Sequence, residues 1–283
     1  MHQQTSITCA NIVGYENANV PENKWQIVPV QFDTTTGAQL DLQDFMTGFT
    51  TTVGYEDDYK TLAPCIQIQK RDAQGNILGT GNTSYYFIAD AAKDEMGEDC
   101  VPGWADESGN YVGDDSWKAA VKLDAGMSVW FRDPQAEATG TMAGQVVSES
   151  STALYGVTAT KWVLVANPYP IAFDLNTSKI TWVNMNTTVG YEDDYKKDAP
   201  CVQIQKRDPV TGQISGTGNT SYYFIADAAK DEMGEDCVPG WADESGNYVG
   251  EGSWKAAVFV PAGAGFWFRD PGATENVDIT FEK

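Results

Sequence analysis

The sequence predicts an all-β chain: two tandem homologous domains of β-sandwich or Greek-key-like type, each with at most one short helix or acidic loop. Three observations predict it. The chain is internally duplicated, its apolar residues fall in short alternating or β-rich runs, and runs of helical period are nearly absent. The duplication is read directly. Residues 51–60 (TTVGYEDDYK) recur unchanged as 187–196, and residues 79–113 recur unchanged as 216–250. VWFRDP at 129–134 returns as FWFRDP at 266–271. Upstream the likeness weakens, as between 25–32 (WQIVPVQF) and 162–169 (WVLVANPY). At ~150 residues per domain, a chain of 283 residues accommodates two. The expected domains are 1–138 and 139–283.

Within a copy the elements follow in order. Residues 25–32 and 161–166 are apolar enough for strands. CIQIQK at 65–70 alternates apolar and polar, as a half-buried strand does. Residues 79–83 (GTGNT) predict a turn, and 83–89 (TSYYFIA) a strand. DAAKDEM at 90–96 is the one helix candidate, with Asp90 as N-cap and Gly97 as stop. Gly109-Asn110 supplies turn chemistry, and AVKL at 120–123 followed by SVWFR at 128–132 predicts two more strands.

Composition excludes several functions. Hydrophobic residues make up 42% and aromatics 12% of the chain, too much for disorder. With 40 acids against 18 bases the net charge is −22, the wrong sign for nucleic acid or an anionic membrane surface. No apolar run approaches the ~20 residues of a membrane-spanning helix, so membrane insertion is not expected. The first eight residues are polar and carry no leader signature. A mature extracellular or cell-surface chain with its leader removed is the expectation.

That expectation leans on the cysteines. Of five, Cys65/Cys100 and Cys201/Cys237 occupy equivalent places in the two copies. A pair repeated with its spacing predicts one disulfide per copy and an oxidising compartment. The fifth, Cys9, has no repeat partner. With a single histidine, His2, and no CxxC, a zinc site is excluded in practice. Calcium is the one candidate cofactor: Asp94, Glu95, Glu98 and Asp99, and their copies Asp231, Glu232, Glu235 and Asp236, form carboxylate-rich turns, although no EF-hand pattern is present. A solvated acidic surface explains the same residues.

No nucleophile–histidine set, GxSxG, P-loop or dinucleotide motif is present, so an enzyme is not expected. A secreted hydrolase using two of the many carboxylates is the least favoured reading. Trp104, Tyr111 and Trp117, copied as Trp241, Tyr248 and Trp254, lie in turn-rich segments where aromatics stack on sugars; burial in the core is the alternative. A glycan-binding protein with one site per domain is therefore the second reading. The first is a structural or adhesive subunit of a filament, surface layer or adhesin. The copies are expected to abut end to end. The N-terminal segment, with Ile7, Cys9, Ile12 and Val13, would then engage another copy of the chain head to tail, or another surface protein.

Overall fold

The computed structural model describes residues 13–30, 32–33, 39–45, 47–71, 77–124, 126–146, 151–157, 161–207, 214–262 and 264–282. Ten strands form the first half: β1 (Val13–Val20), β2 (Gln26–Pro29), β3 (Phe32–Asp33), β4 (Leu40–Asp41), β5 (Cys65–Arg71), β6 (Ile77–Ala91), β7 (Val101–Ala105), β8 (Lys122–Leu123), β9 (Ser128–Arg132) and β10 (Ala138–Val146). The second half carries β11 (Ser151–Val157), β12 (Val163–Ala166), β13 (Phe173–Asp174), β14 (Ile180–Val183), β15 (Cys201–Arg207), β16 (Ile214–Ala228), β17 (Val238–Ala242), β18 (Phe259–Val260), β19 (Gly265–Arg269) and β20 (Val277–Glu282). Two four-residue helices, α1 (Tyr59–Leu62) and α2 (Tyr195–Asp198), and a 3-10 turn at Leu42–Asp44 complete the described elements. The chain is all-β and sandwich-like. Among the described residues no helix is long and apolar enough to cross a membrane.

The two halves repeat one antiparallel sheet order, β2-β9-β5-β6-β7 in the first and β12-β19-β15-β16-β17 in the second. Each large sheet faces a small one, β1-β10-β3 or β11-β20-β14, across a core. Alternation along the strands decides what faces that core. Ile66 and Ile68 of β5, Val129 and Phe131 of β9, and Trp104 of β7 point inward with Val20, Leu42 and Phe45. The second core is built alike from Val202, Phe266, Phe268, Trp241, Ile279 and Phe281. At one end the outer face of each large sheet carries a smaller core. Val53, Tyr59 and Ala63 cover Ile88, Ala91 and Ala105, and Val189, Tyr195 and Ala199 cover Ile225, Ala228 and Ala242.

Three sequence expectations are corrected here. Residues 90–96 are not a helix: β6 runs to Ala91 and a turn follows. The Asp94 carboxylate accepts the N–H groups of Met96 and Glu98 at 2.9 and 2.8 Å, closing a turn in place of a helix. Residues 79–83 are not a turn between strands. They lie inside the fifteen-residue β6, where Gly81, at φ +99°, sits beside the register shift between Gln69 and Arg71. The copies also do not meet end to end. The stretch around 140–146 belongs to β10 and pairs with β1, from Val13↔Gln145 to Val20↔Ala138, so this strand crosses the expected boundary at 138/139.

The halves meet instead through a reciprocal seam. Gln69 Oε1 accepts from Leu164 N at 2.7 Å, and Gln205 Oε1 accepts from Ile27 N at 3.1 Å. Gln69 and Gln205 are repeat equivalents, and so are Leu164 and Ile27, which makes the contact isologous in form. Gln69 also donates to Trp162 O at 2.8 Å, and Trp130 packs on its own equivalent Trp267 at 5.9 Å. This contact explains why β2 and β12 are buried at all four positions: Val28 and Val165 face their own cores, while Ile27 and Leu164 face the other half. The seam is not fully symmetric. Ser128 of β9, whose Oγ donates to Val165 O at 3.2 Å, corresponds to Gly265 of β19. A methyl group at Gly265 would overlap Ile27 Cγ2 and crowd Ser128. Gly265→Ser is therefore expected to destabilise the chain by ~1–3 kcal/mol through overpacking. Urea unfolding checks this, and an unchanged midpoint would contradict the seam.

Candidate functional site: a cleft whose residues recur in the second half

Beside the small outer core the surface opens into a cleft of about 410 Å³. It is lined by Tyr55 and Glu56, by Asp90 and Ala92 at the end of β6, by Glu95, Met96, Gly97 and Cys100 of the turn that follows, and by the turn 108–110. Its volume falls within the ~300–1,000 Å³ typical of small-molecule sites. Tyr55 is fixed from three sides. Its N–H donates to Asp90 Oδ1 at 2.6 Å, its ring stacks on Tyr59 at 5.6 Å, and its edge lies over the backbone of Gly109. Gly109 combines φ +82° with the absence of a Cβ, which would overlap that ring. Tyr55 nevertheless stays 48% exposed, and Met96 79%.

The loop above is held by Asp106. Its carboxylate accepts from the N–H groups of Ser108 and Asn110 and pairs with Lys118 at 3.2 Å. Burial pushes its pKa up, but the hydrogen bonds from Asn110 and Ser108, then Lys118, outweigh it and hold the carboxyl below its ordinary value. Tyr59, stacked on Tyr55, donates to Glu107 O at 2.8 Å and ties the segment that carries Tyr55 to the 106–110 loop.

The arrangement recurs in the second half. Tyr191 N donates to Asp227 Oδ1 at 2.6 Å, its ring stacks on Tyr195 at 5.7 Å and covers Gly246, and Met233 is 79% exposed. Asp243 repeats the loop clamp with Ser245, Asn247 and Lys255.

The predicted glycan residues divide. Trp104 and Trp241 are not surface platforms: they are 0% and 1% exposed, among the largest fully buried side chains. Each packs edge-on against a neighbouring ring, Phe87 or Phe224, and a side-chain amide grips its backbone. Gln43 accepts from Trp104 N and donates to Trp104 O, both at 2.9 Å. The shorter Asn176 does the same for Trp241 at 2.7 and 3.2 Å. Tyr111 and Tyr248 are half-buried, their rings filling the space that Gly103 and Gly113, or Gly240 and Gly250, leave open. Trp117 and Trp254 are exposed, each with its neighbouring lysine over the ring, Lys118 at 4.3 Å and Lys255 at 4.4 Å.

The cysteines do not pair as expected; all four are free thiols. Cys65 stands opposite Tyr86, whereas Cys100 precedes Val101, which stands opposite Ala91. Five positions along β6 at ~3.3 Å each separate these two points by ~16 Å, against a limit near 7 Å for bridging. Cys65 and Cys201 are buried, and burial pushes both thiols up to about 12. Cys100 and Cys237 are exposed.

The calcium residues do not converge either. Among the described residues no three acidic, histidine or cysteine side chains gather to hold a metal. Asp94 and Asp231 are used in turn closure, while Asp99 and Asp236 pair with Lys93 and Lys230 at 3.8 and 3.5 Å. Of the self-association residues, Val13 pairs with Gln145 within the chain; Ile7, Cys9 and Ile12 lie outside the described residues.

The sequence does not mark Tyr55, Glu56, Asp90 or Met96 as site residues; Asp90 and Met96 enter its reading only as ends of the helix candidate. Their signal was the unbroken identity of 51–60 with 187–196 and of 79–113 with 216–250. These two segments supply every residue named in the cleft. Compared with family models, with curated proteins and with solved structures, the chain matches none.

Two outcomes are expected. Cys100 and Cys237 react with a thiol reagent in the folded protein, while Cys65 and Cys201 react only on unfolding, as peptide mapping would show. Protection of all four without reductant would restore the disulfides. The second concerns acid. Asp106 and Asp243, with pKa values lowered by folding, contribute stability that is complete above the unfolded carboxylate range and lost as pH falls through the folded values. The double variant Asp106→Asn, Asp243→Asn is expected to flatten the acid limb of a stability–pH curve while leaving the native spectrum intact.

Proposed function

We propose that the chain is a non-enzymatic adhesive or structural protein, made of two homologous β-sandwich units, that binds its partner bivalently through the two clefts. One observation carries the reading. The two segments that carry every cleft residue are unchanged between the copies, exposed Tyr55 and Met96 included, whereas the seam differs at Ser128 and Gly265 and Gln43 stands where Asn176 does. Packing alone does not require that. Exposed Met96 and Tyr55 contribute little to folding, so their repetition points to a contact made outside the chain. Action at the cell exterior remains part of the proposal, but with free thiols it no longer draws on the cysteines. Self-association head to tail through Ile7, Cys9, Ile12 and Val13 stays within the proposal, three of these residues lying outside the described ones.

The reading is tested by probing arrays of glycans and of peptides with the intact protein and with Tyr55→Ala, Tyr191→Ala and the double variant. Each single change is expected to halve the number of bound ligands per chain, and the double change to abolish binding. A chain that binds nothing on either array, or a double variant that binds like the parent, removes the proposal.

A further inference from the structure

We propose that Asn186 is the acceptor of an N-linked glycan, the one acceptor of this kind that the fold leaves open. The chain holds four Asn-x-Ser/Thr triplets, beginning at Asn82, Asn176, Asn186 and Asn219. The atom that takes the sugar is the side-chain nitrogen, and in three of the four it is already committed. Asn82 Nδ2 donates to Gln67 Oε1 at 3.3 Å and Asn219 Nδ2 to Gln203 Oε1 at 3.4 Å, within the pairing of β5 with β6 and of β15 with β16. The hydroxyl residues of these two triplets, Ser84 and Ser221, are buried. Asn176 uses both ends of its amide on the backbone of Trp241. Asn186 differs. Its Oδ1 accepts from the Oγ1 and the N–H of Thr188 at 2.8 and 3.1 Å, which fixes the amide plane. Among the described residues its Nδ2 donates to none.

The second half also makes room for the sugar, and the first half does not. The backbone is placed alike in both: Thr50 N donates to Asp133 Oδ2 at 2.8 Å, and Asn186 N to Asp270 Oδ2 at 2.7 Å, from the same place in each repeat. The side chains differ. Where Asn186 and Gly272 stand, the first half has Thr50 and Gln135. A Cβ at position 272 would overlap Asn186 Nδ2, so glycine keeps that nitrogen clear. Beside it the surface opens into a cavity of about 460 Å³ between residues 184–188 and 272–275, with Thr187 and Thr188 exposed at its rim. A bulky, hydrated glycan needs such an open surface loop. The donor is an oligosaccharide carried on a lipid diphosphate. A bond forms between Nδ2 and the anomeric carbon, and the bond from that carbon to the diphosphate oxygen breaks. The lipid diphosphate leaves with the electron pair, one amide proton passes to a base of the transferase, and nothing is oxidised or reduced. This goes beyond the binding reading above and asks only that the chain pass through the compartment that holds the donor.

The test is peptide mapping of the full chain from its natural source, after enzymatic release of N-glycans in heavy-oxygen water. Asn186 is expected to appear as aspartate carrying the heavy oxygen, and Asn82, Asn176 and Asn219 to stay unlabelled. Secretion of the full chain from a eukaryotic cell is expected to add one glycan, which is lost in Asn186→Gln, in Thr188→Ala and in Gly272→Gln. The reciprocal change keeps the test independent of any loss of folding. Thr50→Asn alone is expected to stay unmodified beside Gln135, whereas Thr50→Asn with Gln135→Gly gains a second glycan; circular dichroism checks that each variant keeps the fold. An unmodified Asn186 in the natural chain, a glycan on any of the other three asparagines, or Gly272→Gln modified as fully as the parent overturns the proposal. None of these outcomes bears on the arrays that test the bivalent reading, so the two are decided separately.

Discussion

The outer face of the large sheet has to be covered, and how it is shared out governs everything else in this molecule. The inner face is an ordinary sandwich core. On the outer face, Ile27, Gln69 and Trp130 at the β2–β9–β5 side are covered by the other half of the chain. Ile88, Ala91 and Ala105 at the β6–β7 side are covered by the segment from Val53 to Ala63. One sheet thus has two outer tenants, a partner half and a short cap. The cap carries Tyr55 and Glu56, so the wall of the cleft is placed by the same apolar burial that fixes Tyr59 and Val53. The seam and the cleft are separate consequences of one need to remove apolar surface from water.

Polar side chains finish both arrangements by standing in for missing strands. Gln43 and Asn176 satisfy the backbone of an edge strand where no further strand pairs with it. Gln69 and Gln205 do likewise for the backbone of β12 and β2 across the seam. Asp106 and Asp243 gather the amides of the loops that close the clefts. Each is a long-range or turn-closing contact in which one side chain replaces a ladder bond, which lets short strands and tight loops remain ordered with few residues.

The parts legible in the sequence were those governed by local pattern. The strand at Cys65–Arg71 follows from alternation, and the one at Ser128–Arg132 from an apolar run set off by the glycine at 126. Where two local signals competed, the reading went astray. Gly79 and Gly81 looked like a turn, yet one bulge let β6 pass through them. DAAKDEM looked helical, yet Asp94 spends its carboxylate on its own turn and denies the helix a start. The near-equal spacing of the cysteines, 35 and 36 residues, suggests proximity, but spacing along a chain says nothing about distance across a sheet. Trp104 could be weighed only as buried or exposed, because its Gly-Trp context suits either. The seam was out of reach altogether: Gln69 and Gln205 occupy positions that an alternating strand gives to solvent, and only the folded pair shows what they meet.

The reciprocity of the seam carries a metric consequence. Whatever operation relates Gln69 to Gln205 also relates Tyr55 to Tyr191, since each pair occupies the same place in its own repeat. The interval between the two mouths is then set by packed side chains rather than by a tether. If the two sites bind as proposed, the molecule would act as a pair of callipers: a partner whose contacts recur at the matching period would be gripped twice, and one of any other period once.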